Sequence, residues 1–309
     1  MLIVRASAVI GAYNSSQNTA LAKDQAMVAC LEGSTGYEVL SWWQKLIWRF
    51  LIKLFSGRIG RWLLIKHCPD GKSLRRYATT HKALEMVYNY SWGANKDQKL
   101  FQRAVTHLLF NFMNGKAVRN RLALTERELK VAFWRSGSDS PNIISYAAGS
   151  ARAVIRVLHD LVSIYPGARA MLIDKSRQAL NYSRQLATEY GVEDRLVWVR
   201  GMLEELVHNA KEFPPDIVEM VGIMDYFDHQ TAVEVCRAIF EKLPMGGTLI
   251  TCNIVPNIEF KFLDNVLNWK MVYRQPDDLK NLLYESGFCD VRIYVEPLGI
   301  HAIAVCIKT

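Results

Sequence analysis

The chain of 309 residues lacks an uncharged apolar run long enough to cross a membrane, which takes about 20 residues. The best candidate, within residues 36–66, is interrupted by Lys45, Arg49 and Lys53. The apolar start, residues 1–11, contains a charge and no cleavage region typical of a secretory signal. We therefore expect no transmembrane segment and a cytoplasmic protein, with peripheral contact at the inner membrane surface as an alternative.

Cysteine and histidine occur without any spacing that binds a metal. The six cysteines stand far apart, several of them in apolar runs, and the seven histidines form no ligand pattern. This distribution predicts reduced thiols and no metal site. Internal repeats, low-complexity tracts and coiled-coil heptads are also lacking, which argues against repeat and fibrous proteins. The cysteines are Cys30, Cys68, Cys236, Cys252, Cys289 and Cys306.

Hydrophobic residues make up 50% of the chain, which is ample for a sizeable core, and the formal net charge is +8. An excess of positive charge favours anionic partners, namely nucleic acid, an anionic lipid surface or an acidic metabolite. The length predicts two units, a helical cap or substrate region over residues 1–135 and a second domain over residues 136–309. Residues 135–142, which contain serine, glycine and proline, are the predicted linker.

From Pro141 onward, apolar runs alternate with amphipathic runs. The apolar runs predict strands, and Ser176 and Asp228 are placed to cap two of the helices between them. Strands alternating with helices predict a parallel sheet covered on both faces. Residues 297–301 alone separate the last two strands, and a parallel connection needs roughly a dozen residues, so these strands form an antiparallel hairpin. The predicted strands are residues 143–144, 170–174, 196–199, 216–223, 248–255, 291–296 and 302–308.

A turn of small residues, 145–151, follows the first strand, and the second strand ends on Asp174. Small residues let the backbone approach a ligand closely, and a carboxylate at the end of the second strand can accept hydrogen bonds from ribose hydroxyls. The arrangement indicates a nucleotide-type site. The alternative is a plain connection between strand and helix, with Asp174 as a cap for the helix that begins near Ser176.

Five parallel strands followed by a hairpin with one reversed strand resemble the class I S-adenosylmethionine (SAM) methyltransferases, over about residues 143–309. Residues 145–152, 222–228 and 269–274 are similar to a bacterial branch that includes enzymes methylating the carboxyl group of hydroxy fatty acids. The motifs that carry the family resemblance are residues 143–151 (first motif), Asp174 (ribose-binding acid), residues 200–203 (adenine loop), residues 216–222 (fourth motif) and residues 243–249 (turn into the fifth strand).

The resemblance implies an α/β fold, a Rossmann-like doubly wound sheet with a terminal antiparallel strand, preceded by an α-helical N-terminal region. It implies SAM as the cofactor and residues 136–309 as the SAM-binding catalytic domain. The family usually has an acid where Ser145 stands and glycines where Ala147 and Ala151 stand, so we expect a tighter turn floor rather than an absent site. The implied cofactor-binding residues are Ser145, Tyr146, Ala147, Gly149, Asp174, Lys175, Gly201, Met202, Leu203, Val221 and Gly222.

The implied reaction is in-line methyl transfer to a small apolar or anionic acceptor, such as a fatty-acid-like carboxylate or a related metabolite. A carboxylate acceptor needs no general base, because its oxygen is already ionised. We choose Arg274 as the anion clamp, since a guanidinium meets a carboxylate with two parallel hydrogen bonds. Each candidate also has a structural alternative as a helix cap, packing aromatic or ion-pair partner. The catalytic candidates are Asp225, Tyr226, Tyr273 and Arg274, and the substrate-binding candidates are His229, Asn253 and Trp269.

Residues 36–66 combine a basic stripe with a broad aromatic and aliphatic face. Two roles fit this pattern, a lid that excludes water from the site and a helix lying in a membrane interface. The lid is favoured, because an amphipathic surface helix is the default in globular proteins.

Three functions stay open at this point: a small-molecule methyltransferase, an RNA methyltransferase motivated by the positive charge, and a SAM-fold protein that binds without methylating. The expected partner is a small-molecule acceptor. Nucleic acid is the less favoured partner, because the chain has no separate RNA-binding motif.

Overall fold

A computed structural model describes residues 36–92 and 99–309 of the chain. Residues 1–35, with the apolar start and Cys30, lie outside the described residues. The strands of the described part are β1 Asn142–Tyr146, β2 Arg169–Asp174, β3 Leu196–Arg200, β4 Ile217–Met220, β5 Thr248–Ile254, β6 Asp290–Val295 and β7 His301–Ile307.

These strands form one sheet in the order β3-β2-β1-β4-β5-β7-β6. The strands β1 to β5 are parallel, and β7 runs antiparallel to both of its neighbours, β5 and β6. The predicted terminal hairpin with one reversed strand is therefore confirmed. The fourth strand is shorter than predicted and ends at Met220, because Gly222 takes a φ of 95° that an extended strand cannot accommodate.

Helices cover both faces of the sheet, and two of their caps follow the prediction. The Ser176 hydroxyl accepts a hydrogen bond from the Ala179 amide at 3.2 Å, and the Asp228 carboxylate accepts one from the Thr231 amide at 2.8 Å. The helices are α1 Trp42–Phe55, α2 Arg58–His67, α3 Pro69–Arg76, α4 His81–Tyr88, α5 Leu100–Phe110, α6 Met113–Ser136, α7 Arg152–Asp160, α8 Arg177–Glu189, α9 Leu203–Asn209, α10 His229–Lys242, α11 Phe260–Phe262 and α12 Pro276–Glu285.

The core has one apolar layer on each face of the sheet. Ile143 and Ile144 are neighbours on β1 but belong to opposite layers, because successive side chains of a strand point to opposite faces. The layer that contains Ile143 packs against α6, α7 and α8, and the layer that contains Ile144 packs against α9, α10 and α12. Burial of the strands on both sides explains why they read as continuous apolar runs.

A third apolar cluster joins the N-terminal helices to the carboxyl edge of the sheet. Trp48 of α1 packs edge-on against Phe112, with ring centroids 4.6 Å apart, and Phe112 packs in the same way against Phe262 at 4.5 Å. One face of α1 thus packs on Phe112 at this edge, and the lid role of residues 36–66 stays a prediction. The helix α6, which precedes the domain boundary predicted at residue 135, lies directly on the sheet and contributes Leu129 and Phe133 to its core, and the boundary stays a prediction.

None of the helices within the described ranges is long and apolar enough to span a bilayer.

Candidate functional site

A cavity of about 620 Å³ lies between the carboxyl ends of the strands and the N-terminal helices. Crevices at this edge are where open α/β sheets bind their ligands. We call one part the β1–β3 half, which is lined by residues 146–151, 174–176 and 201–202. The β4–β7 half is lined by the ends of β4, β5 and β7 and by side chains of the N-terminal helices. The two halves are continuous, so ligands bound in them would touch.

The turn between β1 and α7 forms the floor of the β1–β3 half. Ala147, Gly149 and Ala151 have φ values of 54°, 56° and 51°, which lie in the left-handed region. These are the positions at which the first motif implies glycine, so the backbone keeps the conformation of a glycine turn although alanine stands at two of the sites. A residue with a Cβ in this conformation costs roughly 1–2 kcal/mol.

Asp174 ends β2 and holds the turn in place. One carboxylate oxygen accepts a hydrogen bond from the Gly149 amide at 2.8 Å, and the other accepts one from the Ser176 amide at 2.7 Å. The cap of α8 is Ser176, so Asp174 is not itself the helix cap but fixes the backbone of the cap residue, and it also lines the cavity. Each oxygen of a carboxylate can accept a second hydrogen bond, which leaves capacity for hydroxyl groups of a ligand.

The remaining residues predicted to bind the cofactor fall into two groups. Tyr146, Lys175, Gly201 and Met202 line the β1–β3 half, and Val221 and Gly222 line the wall at the end of β4. Leu203 does not line the cavity and packs instead into the apolar layer that contains Ile144.

Ser145 is fully buried in the sheet, and its hydroxyl donates a hydrogen bond to the carboxyl group of Glu219. The two residues lie opposite each other in the parallel register of β1 and β4. Glu219 also accepts a hydrogen bond from the Val221 amide at 3.2 Å and, unlike Ser145, lines the cavity. An acidic group that the first motif lacks is thus present one strand away.

Burial raises the pKa of Glu219 to about 7, although hydrogen bonds from Ser145 and Val221 and the charge of Arg121 oppose this shift. Sequence analysis missed Glu219, although a lone acid in an otherwise apolar strand was a signal.

Asp225, Tyr226 and Trp269 line the β4–β7 half. The Trp269 indole donates a hydrogen bond to the Tyr226 hydroxyl at 2.7 Å, and the Asp225 carboxylate accepts one from the Ile254 amide at 2.7 Å. Burial raises the pKa of Asp225, and burial raises the pKa of Tyr226 to about 12. Tyr226 consequently stays protonated at neutral pH, so it can donate a hydrogen bond into the cavity but is not a general base there.

Arg274, the predicted anion clamp, does not line the cavity. Its guanidinium donates to the Asn253 side-chain oxygen at 2.6 Å and to the carbonyl oxygens of Met224 and Phe227 at 3.1 and 2.7 Å. Arg274 and Asn253 together hold the segment after β4 against β5. These partners use the guanidinium donors that a substrate would need, so the structure gives both residues a positioning role.

Two further acceptor candidates also lie outside the cavity lining. His229 is exposed at the start of α10, where its Nε2 lies 2.9 Å from the Glu285 carboxylate. Tyr273 packs against the cluster that joins the N-terminal helices to the sheet, and its hydroxyl has no hydrogen-bond partner among the described residues.

Arg121 of α6 and His301 of β7 line the β4–β7 half, and sequence analysis did not single them out. They are 4% and 2% exposed, and neither the Arg121 Nε nor the two His301 ring nitrogens have a hydrogen bond within the described part of the chain. A signal existed in each case. Arg121 interrupts the buried face of a helix, and His301 begins a strand that is otherwise apolar.

The described residues contain no cluster of side chains that could hold a metal ion.

Solved structures of other proteins share the fold of this chain. No family model matches the chain, and no curated protein matches it. A solved structure of a protein from Bordetella parapertussis, named a possible exported protein, aligns with a TM-score of 0.62 and 16% identity over 95% of this chain and 98% of that chain.

Two solved methyltransferases are similar at lower scores. The magnesium protoporphyrin IX methyltransferase of Synechocystis aligns with a TM-score of 0.49 and 13% identity over 64% of this chain and 88% of that chain. An O-methyltransferase family protein from Burkholderia thailandensis aligns with a TM-score of 0.44 and 14% identity over 66% and 62% of the two chains.

The order of the strands and the single reversed strand confirm the predicted fold class, an α/β Rossmann-like doubly wound sheet with a terminal antiparallel strand behind an α-helical N-terminal region. At such low sequence identities the likeness extends to the fold and leaves the activity to be argued from the site.

Proposed function

We propose that this protein is a SAM-dependent methyltransferase that acts on a small-molecule acceptor with a large apolar part. The observation that carries the proposal is the continuous cavity, which joins the carboxylate of Asp174 to an apolar chamber under the N-terminal helices. SAM presents two ribose hydroxyls, an adenine face, a sulfonium cation and an amino acid group. The β1–β3 half offers a carboxylate, a thioether and backbone polar groups, which suits such a ligand.

Four parts of the cavity bind the cofactor in this proposal, three in the β1–β3 half and Glu219 at the end of β4. Asp174 accepts hydrogen bonds from the ribose hydroxyls, Met202 packs against the adenine, and residues 146–151 let the amino acid part approach the backbone. Glu219 places a carboxyl group near the cationic part of the ligand. When bound, SAM supplies a methyl group attached to a sulfonium sulfur. After transfer of the methyl group, that sulfur leaves as a neutral thioether.

The chain itself contributes positioning and the exclusion of water. Holding an acceptor atom in line with the methyl group is worth on the order of 7 to 11 kcal/mol when the geometry is good. The lid supports this role, since Trp48 and Phe112 belong to the apolar cluster that closes the β4–β7 half from one side. Tyr226 and Trp269, linked by their hydrogen bond, provide a polar edge that can orient the acceptor.

Calorimetric titration with SAM and its demethylated product tests the cofactor assignment. We expect Asp174→Ala to weaken SAM binding by roughly tenfold or more, since a hydrogen bond to a charged group is lost. Asp216→Ala is the matched control, because this carboxylate binds the Asn142 amide at the opposite edge of the same sheet. An unchanged affinity in Asp174→Ala, with the fold retained by circular dichroism, would remove SAM from the proposal.

The acceptor can be found by incubating cell extract with the protein and isotopically labelled SAM, followed by mass spectrometry. A labelled small molecule would support methyl transfer, and a labelled RNA would replace the acceptor class. SAM binding without any labelled product across a broad acceptor screen would favour a binding protein that does not methylate.

We also propose that α1 contacts an anionic lipid surface. The side of α1 that faces the protein buries Trp48 and Ile52, but another side is apolar and exposed. Exposed aromatic and aliphatic side chains beside exposed Lys45, Arg49 and Lys53 match the apolar interior and anionic headgroups of a membrane interface. The apolar side chains of α1 that are more than half exposed are Trp42, Trp43, Leu46, Ile47, Phe50 and Leu54.

Cosedimentation with vesicles tests this contact. We expect binding to phosphatidylcholine vesicles that contain phosphatidylserine, a decrease with added salt, and a loss in Phe50→Ser. Met245→Ser is the matched control, because Met245 is 71% exposed in the turn that leads into β5, at the far edge of the sheet. The proposal would be overturned if Phe50→Ser bound the vesicles as well as the unaltered protein does. It would also be overturned if the unaltered protein were a dimer that dissociates in Phe50→Ser. A negatively charged inner leaflet would place the protein at the cytoplasmic surface of the membrane.

A further inference from the structure

The guanidinium of Arg121 lies against the end of β4. Its terminal nitrogens are 3.7 and 3.8 Å from the point where a Cβ on Gly222 would stand, and α6 packs across β4, β5 and β7. The charge of Asp225 and the hydroxyl of Tyr88 act on Arg121, but no carboxylate of the described residues pairs with it at ion-pair distance. The charge of Arg121 also acts on Glu219, so two buried carboxyl groups stand near the guanidinium without forming an ion pair, and its Nε has no hydrogen-bond partner among the described residues. A buried charge that is not directly paired is unusual, because its burial is costly.

His301 presents two further nitrogens without a partner to the same half of the cavity. It starts β7 opposite Ile254 of β5, and neither ring nitrogen has a hydrogen bond within the described residues. Burial and the nearby charge of Arg121 lower the pKa of His301 well below its usual value, so the ring is neutral at physiological pH. A neutral imidazole has one N–H donor, and buried polar groups normally have a partner.

The cavity wall beside this pair, on the side away from Asp225 and Glu219, is apolar. Side chains from α3, α5 and the segment around α11 line the adjoining wall, among them Leu74, Leu109 and Leu267. A ligand that satisfies Arg121 and His301 must therefore be anionic at one end and apolar along the rest. The pair lies on the β4–β7 side, whereas Asp174 and the turn after β1 lie on the β1–β3 side, and Arg121 adjoins the predicted cofactor-binding residues at Gly222.

We propose that Arg121 and His301 bind the carboxylate of the acceptor, and that the acceptor is a carboxylic acid with an apolar tail. This inference rests on the proposed function and names two residues of its acceptor site. In the transfer, a lone pair of the bound carboxylate oxygen forms the new O–CH3 bond, the S–CH3 bond breaks, and its electron pair stays on sulfur. The products are a methyl ester and a neutral thioether, and no proton is released.

Binding calorimetry on the full chain with the demethylated cofactor present tests the assignment. The probes are dodecanoate and the uncharged alcohol of the same length, dodecanol. We expect the acid to bind more tightly than the alcohol. Arg121→Gln should lose roughly tenfold or more in affinity for the acid and little for the alcohol, because a charged hydrogen bond is lost. Arg121→Lys keeps the charge without the planar fork, so its affinity for the acid should lie between those of the unaltered protein and Arg121→Gln.

The matched control is Arg119→Gln, because Arg119 stands on the same helix but pairs with Glu38 outside the cavity. It should leave the affinity for both probes unchanged. His301→Gln should weaken acid binding less than Arg121→Gln does.

Three outcomes overturn the assignment: equal binding of acid and alcohol to the unaltered protein, unchanged acid binding in folded Arg121→Gln and Arg121→Lys, and a loss of cofactor affinity in place of acid affinity. The last outcome would mean that Arg121 binds the carboxylate of the cofactor. Failure of the proposed function is distinguishable, because the unaltered protein would then not bind SAM or its demethylated product in a separate titration.

Discussion

The hydroxyl of Ser145 and the carboxyl group of Glu219 are hydrogen-bonded across two neighbouring parallel strands, and both residues are buried in the sheet. The pair places an acidic group on the strand beside Ser145, and this group lines the cavity. Glu219 is held at both oxygens, by the hydroxyl of Ser145 and by the amide of Val221. Its position follows from strand register, so it depends on the fold and not on the local turn.

Replacement of Glu219 by glutamine should change how stability depends on pH. Its pKa is about 7 in the folded protein and near 4.5 ordinarily, so the folded state binds more protons between these values. Stability should therefore fall as pH rises from 4.5 to 7, by at most about 3 kcal/mol from this group. Urea unfolding at pH 5 and pH 8 should show a smaller difference in Glu219→Gln than in the unaltered protein.

Glu126→Gln is the matched control for this experiment. Burial also raises the pKa of Glu126 to about 7, but Glu126 does not line the cavity. Both variants should flatten the pH dependence, and Glu219→Gln alone should weaken SAM binding. A pH dependence in Glu219→Gln equal to that of the unaltered protein would show that this carboxyl group does not titrate in the folded state as described.

Replacement of Ala147 or Ala151 by glycine should stabilise the protein. Both alanines have positive φ values, which glycine adopts without the steric penalty of a Cβ. The gain should be roughly 1 kcal/mol for each position, after the greater flexibility of glycine in the unfolded chain is taken into account. Ala148→Gly is the control, because Ala148 does not have a positive φ, and it should be neutral or destabilising. Chemical unfolding that shows a loss of stability in Ala147→Gly would contradict the strain argument.

The helix α4 is tied to α7 by the ion pair of Glu85 and Arg152, in which the side chains are 7% and 12% exposed. Burial alone would raise the pKa of Glu85, but hydrogen bonds from Arg152, Ser150 and Tyr182 and the charge of Arg152 lower it. Arg152→Met should therefore destabilise the protein by about 3–5 kcal/mol, because an unpaired buried carboxylate remains.

The double variant Arg152→Met with Glu85→Gln should recover part of that loss, since the buried charge is then removed. Because a lowered carboxyl pKa stabilises above the ordinary pKa, the contribution of Glu85 should be lost as pH falls below about 4.5. Equal unfolding free energies of the single and double variants would show that the pair is not coupled.

Glu259 connects the segment after β5 to the start of α6 and to α1. Its carboxylate accepts hydrogen bonds from the amides of Met113 and Asn114 at 3.0 and 2.8 Å, from the Asn114 side chain at 2.7 Å and from the Trp48 indole. Glu259→Ala should destabilise the protein by roughly 2–4 kcal/mol, because buried donors at a helix N-terminus lose their acceptor.

Glu259→Gln should cost less, since an amide oxygen still accepts some of these bonds. Urea unfolding distinguishes the two variants. The lid should also loosen in Glu259→Ala, which limited proteolysis of α1 would detect. Unchanged stability in Glu259→Ala would contradict the connecting role.

Much of the sheet could be predicted from the sequence, because its determinants are local. Apolar runs located the strands, and Ser176 and Asp228 marked the starts of two helices. The short link over residues 297–301 required an antiparallel hairpin. The end of β4 was predicted too late, since the apolar pattern continues through Val221 while the backbone turns at Gly222.

Some residues of the candidate site could likewise be predicted from local sequence, and others could not. Residues at strand ends, such as Asp174 and Tyr226, were predictable because the carboxyl ends of parallel strands converge at one edge of the sheet. Arg274 was chosen as the clamp for its chemistry, but sequence could not show that Asn253 and two carbonyl groups occupy its donors.

By itself, the sequence determined the order of strands and helices, the reversed final strand and the turn that faces the cavity. The spacing of hydrophobic residues, the helix caps and the loop lengths are all properties of neighbouring residues. The tertiary structure alone decided that Arg121, Glu219 and His301 face one cavity, because they come from a helix and two strands far apart in the chain. Which buried polar groups are left without a partner depends on how those elements pack, and packing over such separations leaves no local pattern in a sequence.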